Sequence, residues 1–304
     1  MSPVLSTLIK IAVSLAALWL VFKLGWGLSG LPRAETIVPG WLVLALGVNG
    51  LILLLLSARL GLLMTLMPGA EAPGLWWCVR VNWMGLGAAQ VAFGTLSGDA
   101  LRVAALSRAG YGLGESASLI VADRVIGLSA LLLLGLGAAA LVVDGAWIAL
   151  PVLLALLALA PWALRLLATM ATLRLEKGVG AIRLLAGIAQ SPLAWLALPL
   201  AVATHALSVA VFYAVGRGFG LMPPLPETAV AVPAGLVGAA LPISFGGWGT
   251  REVSVAGAYR AMEAPFEAAV LVSVLFGLTT LAFAAPGLIW AWRLLRGRVK
   301  APEA

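Results

Sequence analysis

The sequence predicts an all-α polytopic membrane protein with six to eight transmembrane helices and two broken or re-entrant helical segments. Hydrophobic residues make up 62% of the chain and charged residues only 10%, whereas a soluble domain is about one quarter charged. Apolar runs recur whose length approaches the roughly 20 residues needed to cross a hydrocarbon core of about 30 Å. Two glycine-rich stretches interrupt this pattern, and they contain the polar residues that an ordinary spanning helix lacks.

Taken in order, six segments satisfy the length and apolarity of a spanning helix. They are residues 4–22, 41–57, 117–143, 147–164, 193–215 and 267–292. Two more apolar segments, residues 75–96 and 228–245, each run into a glycine-rich stretch, so their type stays open. The first segment is expected to be retained because no small-residue cleavage site follows it.

The basic residues predict the orientation, since cytoplasmic loops are rich in Lys and Arg. Residues 165–183 and 293–300 are basic and are expected in the cytoplasm. The economical way for the last helix to end there is that residues 228–251 enter the membrane and return on the same side. A full crossing would need residues 251–263 to cross back, and that segment is short and charged. The same argument predicts that residues 75–96 form a re-entrant segment that enters the membrane from the cytoplasmic face. The chain is therefore predicted to be a multi-pass protein of the plasma (inner) membrane, with both termini cytoplasmic.

The two glycine-rich stretches are expected to be corresponding parts of an inverted repeat within one integral membrane domain. The repeats would be about residues 1–150 and 151–304, and their glycine-rich stretches are residues 93–102 and 242–252. Written position on position, Thr95 aligns with Ser244, Gly98 with Gly247, and Arg102 with Arg251. Non-helical backbone at membrane depth must be buried in protein or line a wet cavity, so a cavity is predicted between the repeats.

Arg102 and Arg251 are the first candidates for binding a substrate. Each follows a glycine-rich break and is expected at or before a helix start, where free N–H groups and a guanidinium together attract a phosphate or carboxylate. The competing interpretation is that both arginines snorkel to the interface, or pair with Asp99 and Glu252. The neighbouring residues complete the predicted substrate-binding set: Thr95, Ser244, Gly246, Gly247, Trp248 and Thr250.

Asp123 and Arg124 add charges near the start of the third long span. A charge in lipid is costly and usually functional, so both residues join the predicted site. Asp123 is expected to pair with Arg102 or across the bundle; a purely structural ion pair is the alternative. His205, the only histidine, lies in the middle of a span and is expected to be a hydrogen-bonded packing residue rather than a proton relay.

Composition also bears on other classes of function. One cysteine, Cys78, and one histidine cannot build a Cys/His metal cluster, and neither a metal nor a cofactor is predicted. The net charge of +7 follows from basic loop ends, so nucleic acid is not an expected partner. The sequence has no nucleophile elbow and no His-Glu-x-x-His motif. A transporter is thus favoured over an enzyme.

The motifs resemble those of a known family. Residues 95–102, 110–117 and 122–127 are similar to the first signature of the lysylphosphatidylglycerol synthase transmembrane (flippase-like) family, and residues 241–252 look like its second. Phe93 stands where the family often has proline. The resemblance implies translocation of a polar-headed lipid between leaflets: a phospholipid, an aminoacyl-phospholipid, or a related glycolipid or hopanoid.

The resemblance also implies partners. These are membrane lipids with anionic or zwitterionic headgroups, and a homodimer or a lipid-biosynthesis partner is compatible with it. Family members can carry a cytoplasmic aminoacyl-transferase domain, whereas this sequence stops at Ala304, so lipid aminoacylation is not expected. Two alternatives stay open. One is a membrane-embedded enzyme or accessory subunit of polyprenyl, hopanoid or glycolipid synthesis, and the other is a non-catalytic scaffold.

Overall fold

The structure is a computed structural model that describes most of the chain. It describes residues 34–67, 73–92, 94–151, 153–155, 191–221, 223–241, 243–264 and 267–296, with single positions elsewhere. The predicted first span, most of the predicted span 147–164, the basic segment 165–183, Phe93 and Pro242 lie outside these ranges.

All regular secondary structure in the described ranges is helical, which confirms the predicted fold class. The helices are α1 (Pro39–Met64), α2 (Leu75–Val91), α3 (Thr95–Arg108), α4 (Leu113–Val142), α5 (Pro192–Gly218), α6 (Leu225–Ala240), α7 (Thr250–Ala261), α8 (Glu267–Ala284) and α9 (Gly287–Leu295). Short 3₁₀ turns at Ala34–Thr36 and Ala146–Ile148 precede α1 and follow α4.

Three of the described helices are long and apolar enough to cross a membrane. They are α1, α4 and, within α5, Trp195–Gly218. Over the predicted span 267–292, α8 and α9 together are long and apolar enough to cross a membrane, but they are bent by 52° across a short break. Pro286 accounts for the break, because proline has no N–H to donate and its ring disfavours a helical conformation at the preceding residue.

The two ambiguous apolar segments prove to be the first arms of antiparallel helix pairs. In the first hairpin, α2 and α3 run antiparallel, and Ser97 Oγ donates to the carbonyl of Ala88. In the second hairpin, α6 and α7 do the same, and Thr228 lies against Tyr259 with 2.6 Å between their hydroxyl oxygens. Each hairpin turns at a break that contains glycine. The first break is residues 92–94, so most of the predicted glycine-rich stretch 93–102 is helical in α3, and the second break is residues 241–249.

The hairpins are held by helices from the other half of the chain. The second hairpin packs through α6 against α4, and the first packs through α2 against α8 and α9, while α1 and α5 lie side by side. Each of the two hydrophobic cores also contains residues from both halves of the chain. Leu294 belongs to the core around the first hairpin, and Ala45 belongs to the core around the second. The breaks are therefore positioned by long-range packing.

Candidate functional site

The two breaks lie against each other. The Gly246 N–H donates to the carbonyl oxygen of Ala92 at 3.2 Å. Gly246 has a φ of +61°, and a Cβ there would lie 2.7 Å from the carbonyl oxygen of Gln90. Only glycine fits both the backbone conformation and this close approach. The sequence predicted two breaks, and the structure shows that the hairpins meet tip to tip.

The breaks differ in length, so residues that are matched by sequence lie at different distances from the starts of the outgoing helices. Glycine with positive φ precedes both outgoing helices, Gly94 before Thr95 and Gly249 before Thr250. Thr95 and Thr250 are thus each the first residue of an outgoing helix, whereas Ser244 lies within the second break. The first break has three residues, 92–94, and the second has nine, 241–249.

The arginines consequently occupy different places. Arg251 lies in the first turn of α7, as predicted for a residue at a helix start. Arg102 lies about two turns into α3, away from its amino terminus. Gly98, which was paired with Gly247 by sequence, is on α3, where a Cβ would collide with the carbonyl oxygen of Gly85 on α2. The two halves thus present their arginines in different environments.

In the second hairpin, Arg251 and Glu252 form a closed charge pair. Arg251 donates to Glu252 Oε1 from Nη2 at 2.6 Å and from Nε at 2.9 Å. Ser273 donates to the same oxygen at 3.2 Å, and the Gly249 N–H donates to Oε2 at 2.7 Å. The Glu252 side chain is 0% exposed and that of Arg251 only 6%. Glu252 thus neutralises the arginine and caps α7.

Aromatic rings and a glycine complete this enclosure. The Arg251 guanidinium carbon lies 4.9 Å from the Trp248 ring centroid and 5.7 Å from that of Phe276, which adds cation–π attraction. A Cβ at Gly277 would collide with the guanidinium. Nearby, the hydroxyl oxygens of Ser244 and Thr250 are 2.8 Å apart, and Thr250 donates to the Gly247 carbonyl at 3.1 Å. The predicted residues of this half thus come together.

In the first hairpin, buried charges form a larger cluster that spans α1, α3 and α4. Asp123 accepts from Arg59 Nε at 2.7 Å through one oxygen, and from Arg102 Nη1 at 3.2 Å through the other. The side chains of Arg59, Arg102 and Asp123 are 5%, 8% and 3% exposed. Arg59 was not among the residues predicted from the sequence, although a charge that follows an apolar run is the signal that indicates it.

The outer edge of this cluster is a second ion pair. Arg124 holds Asp99 with Nε and Nη2, at distances of 2.8 to 3.0 Å. Asp99 also lies 3.3 Å from Arg102 Nη2, which joins the pair to the buried core. The Arg124 side chain is 41% exposed. Arg59, Asp99, Arg102, Asp123 and Arg124, the first-hairpin charge cluster, thus reach from the interior to the molecular surface.

Glycine and polar residues on neighbouring helices fix this geometry. A Cβ at Gly85 would stand 3.0 Å from Arg102 Nε, so α2 leaves room for the arginine stem. His205 Nε2 lies 2.9 Å from the Gly127 carbonyl oxygen on α4, in agreement with its prediction as a packing residue. Among the residues described, no three His, Cys, Asp or Glu side chains gather as metal ligands would.

These features define a class of protein. It is an integral membrane protein built on two antiparallel, glycine-broken helix pairs that meet at their tips, with buried arginine–carboxylate groups beside them. The chain belongs to the family described as lysylphosphatidylglycerol synthase TM region, which matches residues 7–287. Membership confirms the resemblance seen in the motifs and identifies a membrane protein of lipid modification or translocation. Comparisons with curated proteins and with solved structures gave no match.

Proposed function

We propose that this protein translocates a polar-headed lipid between the leaflets of the plasma membrane. The headgroup passes between the two hairpins while the acyl chains stay in the bilayer. The contact between the two breaks is the observation that carries the proposal, because it brings non-helical backbone from both halves to one place. Such backbone is tolerated in a membrane only inside protein or beside a wet cavity.

The arrangement of the hairpins supports entry from opposite faces. Each hairpin is antiparallel, so it leaves the membrane on the side where it entered. Two such hairpins that touch at their tips fit a path in which one opens to each face and the tips meet near mid-depth. The order of one long helix, one hairpin and another helix occurs in both halves. This repetition favours the inverted repeat, with both termini in the cytoplasm.

The two groups of charges have different roles in this mechanism. The first-hairpin charge cluster holds the headgroup, because it reaches the surface at Arg124 and contains the buried Arg102. The Arg251–Glu252 pair keeps the second break in shape, because the carboxylate occupies both the guanidinium and the Gly249 N–H. Direct contact between Arg251 and a headgroup stays a prediction.

Movement at the tips gives alternating access. The backbone hydrogen bond from Gly246 to Ala92 contributes about 1 kcal/mol, the usual net value of such a bond. This single hydrogen bond is therefore a small part of the free energy that holds the two tips together. Energy for net transport then comes from a gradient or from mass action.

Cross-linking the tips tests the proposal. Cysteines at Ala92 and Phe245, in a Cys78→Ala background, place thiols on either side of the contact that Gly246 makes. Purified protein is reconstituted into vesicles containing acyl-labelled phosphatidylglycerol, and dithionite quenching reports flipping. A short reducible thiol cross-linker is expected to stop flipping, and reduction to restore it.

Each single-cysteine variant, treated with the same cross-linker, is the control for simple modification of the thiol. Flipping that continues unchanged in fully cross-linked protein contradicts separation of the tips. Wild-type vesicles that flip no faster than protein-free vesicles contradict the proposed function itself.

A further inference from the structure

The charges of the first-hairpin cluster do not balance. Three guanidinium groups, on Arg59, Arg102 and Arg124, face two carboxylates, on Asp99 and Asp123. One positive charge is therefore left over. The excess is not confined to the partly exposed Arg124, because Asp99 is shared by Arg124 and Arg102, and Asp123 is shared by Arg102 and Arg59. A buried charge without compensation is strongly unfavourable, so an additional negative charge stabilises this site.

The second hairpin supplies an internal comparison. There one arginine meets one glutamate, and the carboxylate is also hydrogen bonded to Ser273 and to the Gly249 N–H. That pair is neutral, closed and buried. The same chain thus balances its buried charge in one half and leaves an excess in the other. The excess is a property of the first-hairpin cluster rather than of buried arginines in this fold.

The cluster can also be reached. Arg124 and Asp99 are its most exposed members, with side chains 41% and 19% exposed. A ligand that arrives beside them meets the guanidinium of Arg124 first, and Arg102 lies behind Asp99. Guanidinium groups bind phosphate oxygens through paired N–H donors. The site therefore combines a partly exposed edge, an unbalanced charge and the donor groups that bind a phosphodiester.

We infer that this cluster selects a headgroup whose net charge is a single negative one, namely a phosphodiester without an attached amine. This inference rests on the proposed function and names the substrate class of the same site. A phosphatidylglycerol-type headgroup neutralises the cluster. A choline headgroup carries its own cation, and an aminoacylated headgroup brings additional ammonium charge close to three guanidinium groups. Both bind less favourably for the same electrostatic reason.

Binding and transport are measured separately, so that the two proposals can fail separately. Thermal unfolding of the full-length protein in detergent is followed with added phosphatidylglycerol, phosphatidylcholine or lysyl-phosphatidylglycerol. We expect phosphatidylglycerol to bind on the order of tenfold more tightly than the other two, the effect of about one charge-assisted hydrogen bond. Flipping of the acyl-labelled forms of the three lipids in phosphatidylcholine vesicles should follow the same order.

Variants connect the preference to the charge count. Arg59→Gln removes the excess charge and should abolish the preference, whereas Arg59→Lys keeps the charge and should retain it. Asp99→Asn raises the excess and should shift the preference towards the doubly charged phosphatidic acid. Arg80→Gln makes the same chemical change at an exposed arginine of the first hairpin that stacks on Trp290, and it should leave the preference as in the wild type.

The outcomes are distinct. Equal binding of all three lipids overturns the charge inference, even if flipping occurs. A preference in binding without any flipping supports the charge inference and overturns the proposed function. Glycerophosphoglycerol, the water-soluble headgroup, separates lipid from free phosphodiester. If glycerophosphoglycerol binds as tightly as phosphatidylglycerol, the inference that the ligand is a lipid is overturned. An Arg59→Gln protein that folds and keeps the full preference also overturns the inference, and Asp99→Asn tests it if Arg59→Gln does not fold.

Discussion

Removing one member of the Arg251–Glu252 pair should destabilise the protein far more than removing both. We consider a double-mutant cycle of Arg251→Met, Glu252→Gln and the combined variant. Methionine keeps the length of the arginine stem beside Trp248, and glutamine keeps an oxygen acceptor for the Gly249 N–H. The cycle therefore removes the two charges while leaving the packing and the helix cap nearly intact.

The structure sets the expected magnitude. Both side chains are almost fully buried, and Arg251 donates twice to one oxygen of Glu252. Leaving either charge alone in such a site costs about 3–5 kcal/mol, whereas replacing both partners together is often close to neutral. We therefore expect each single variant to lose about 3 kcal/mol or more and the double variant to lose less than either.

Unfolding in mixed micelles by titration with sodium dodecyl sulfate, followed by tryptophan fluorescence, measures these differences. Flipping by the same four proteins shows whether the pair acts through stability alone. If the losses in the free energy of unfolding of the two single variants add up to the loss in the double variant, the two charges are not coupled and the pair does not stabilise the second break. If Arg251→Met is as stable as wild type and yet binds no lipid, Arg251 is a headgroup ligand rather than a structural residue.

Two further predictions concern glycines. Gly246→Ala should cost about 1–2 kcal/mol for the positive φ alone and slow flipping, because its Cβ would press on the carbonyl of Gln90; unchanged melting and transport would contradict the tip contact. Gly85→Ala should displace Arg102, cost about 1–3 kcal/mol through overpacking, and weaken the preference for phosphatidylglycerol in the same lipid-binding melts; an unaltered preference would show that the arginine does not need this space. Gly257→Ala on α7, where a Cβ meets nothing within 4 Å, is the control for both and should be neutral or stabilising by up to about 1 kcal/mol.

The fold class followed from composition because the solvent of a protein is set by its total apolar surface. The hydrophobic fraction of this chain leaves lipid as the only solvent for most of its helices. The second break was identified by its glycines, since a run of glycines is poor in helix propensity wherever it occurs, whereas the first break, residues 92–94, contains only Gly94. The bend between α8 and α9 was missed because the apolar pattern continues across Pro286 without interruption.

The partners of the charged residues were harder to predict. Arg251 and Glu252 are neighbours in sequence, and their pairing was among the interpretations considered. Arg59 and Asp123 are 64 positions apart, and nothing local to either residue indicates the other. The different positions of Arg102 and Arg251 relative to the starts of their helices could not be predicted for a related reason, because residue types alone do not say where a helix begins.

The sequence by itself determined that the solvent of this chain is lipid, that the chain is helical, and that its helices are interrupted near Gly94 and in residues 241–249. These are properties of composition and of short segments, and they do not depend on which helices are neighbours. Only the tertiary structure decided that the breaks touch, that Glu252 neutralises Arg251, and that three arginines share two aspartates beside the first hairpin. Those facts depend on how α1, α3 and α4 pack together, and packing brings together residues that are remote in the chain.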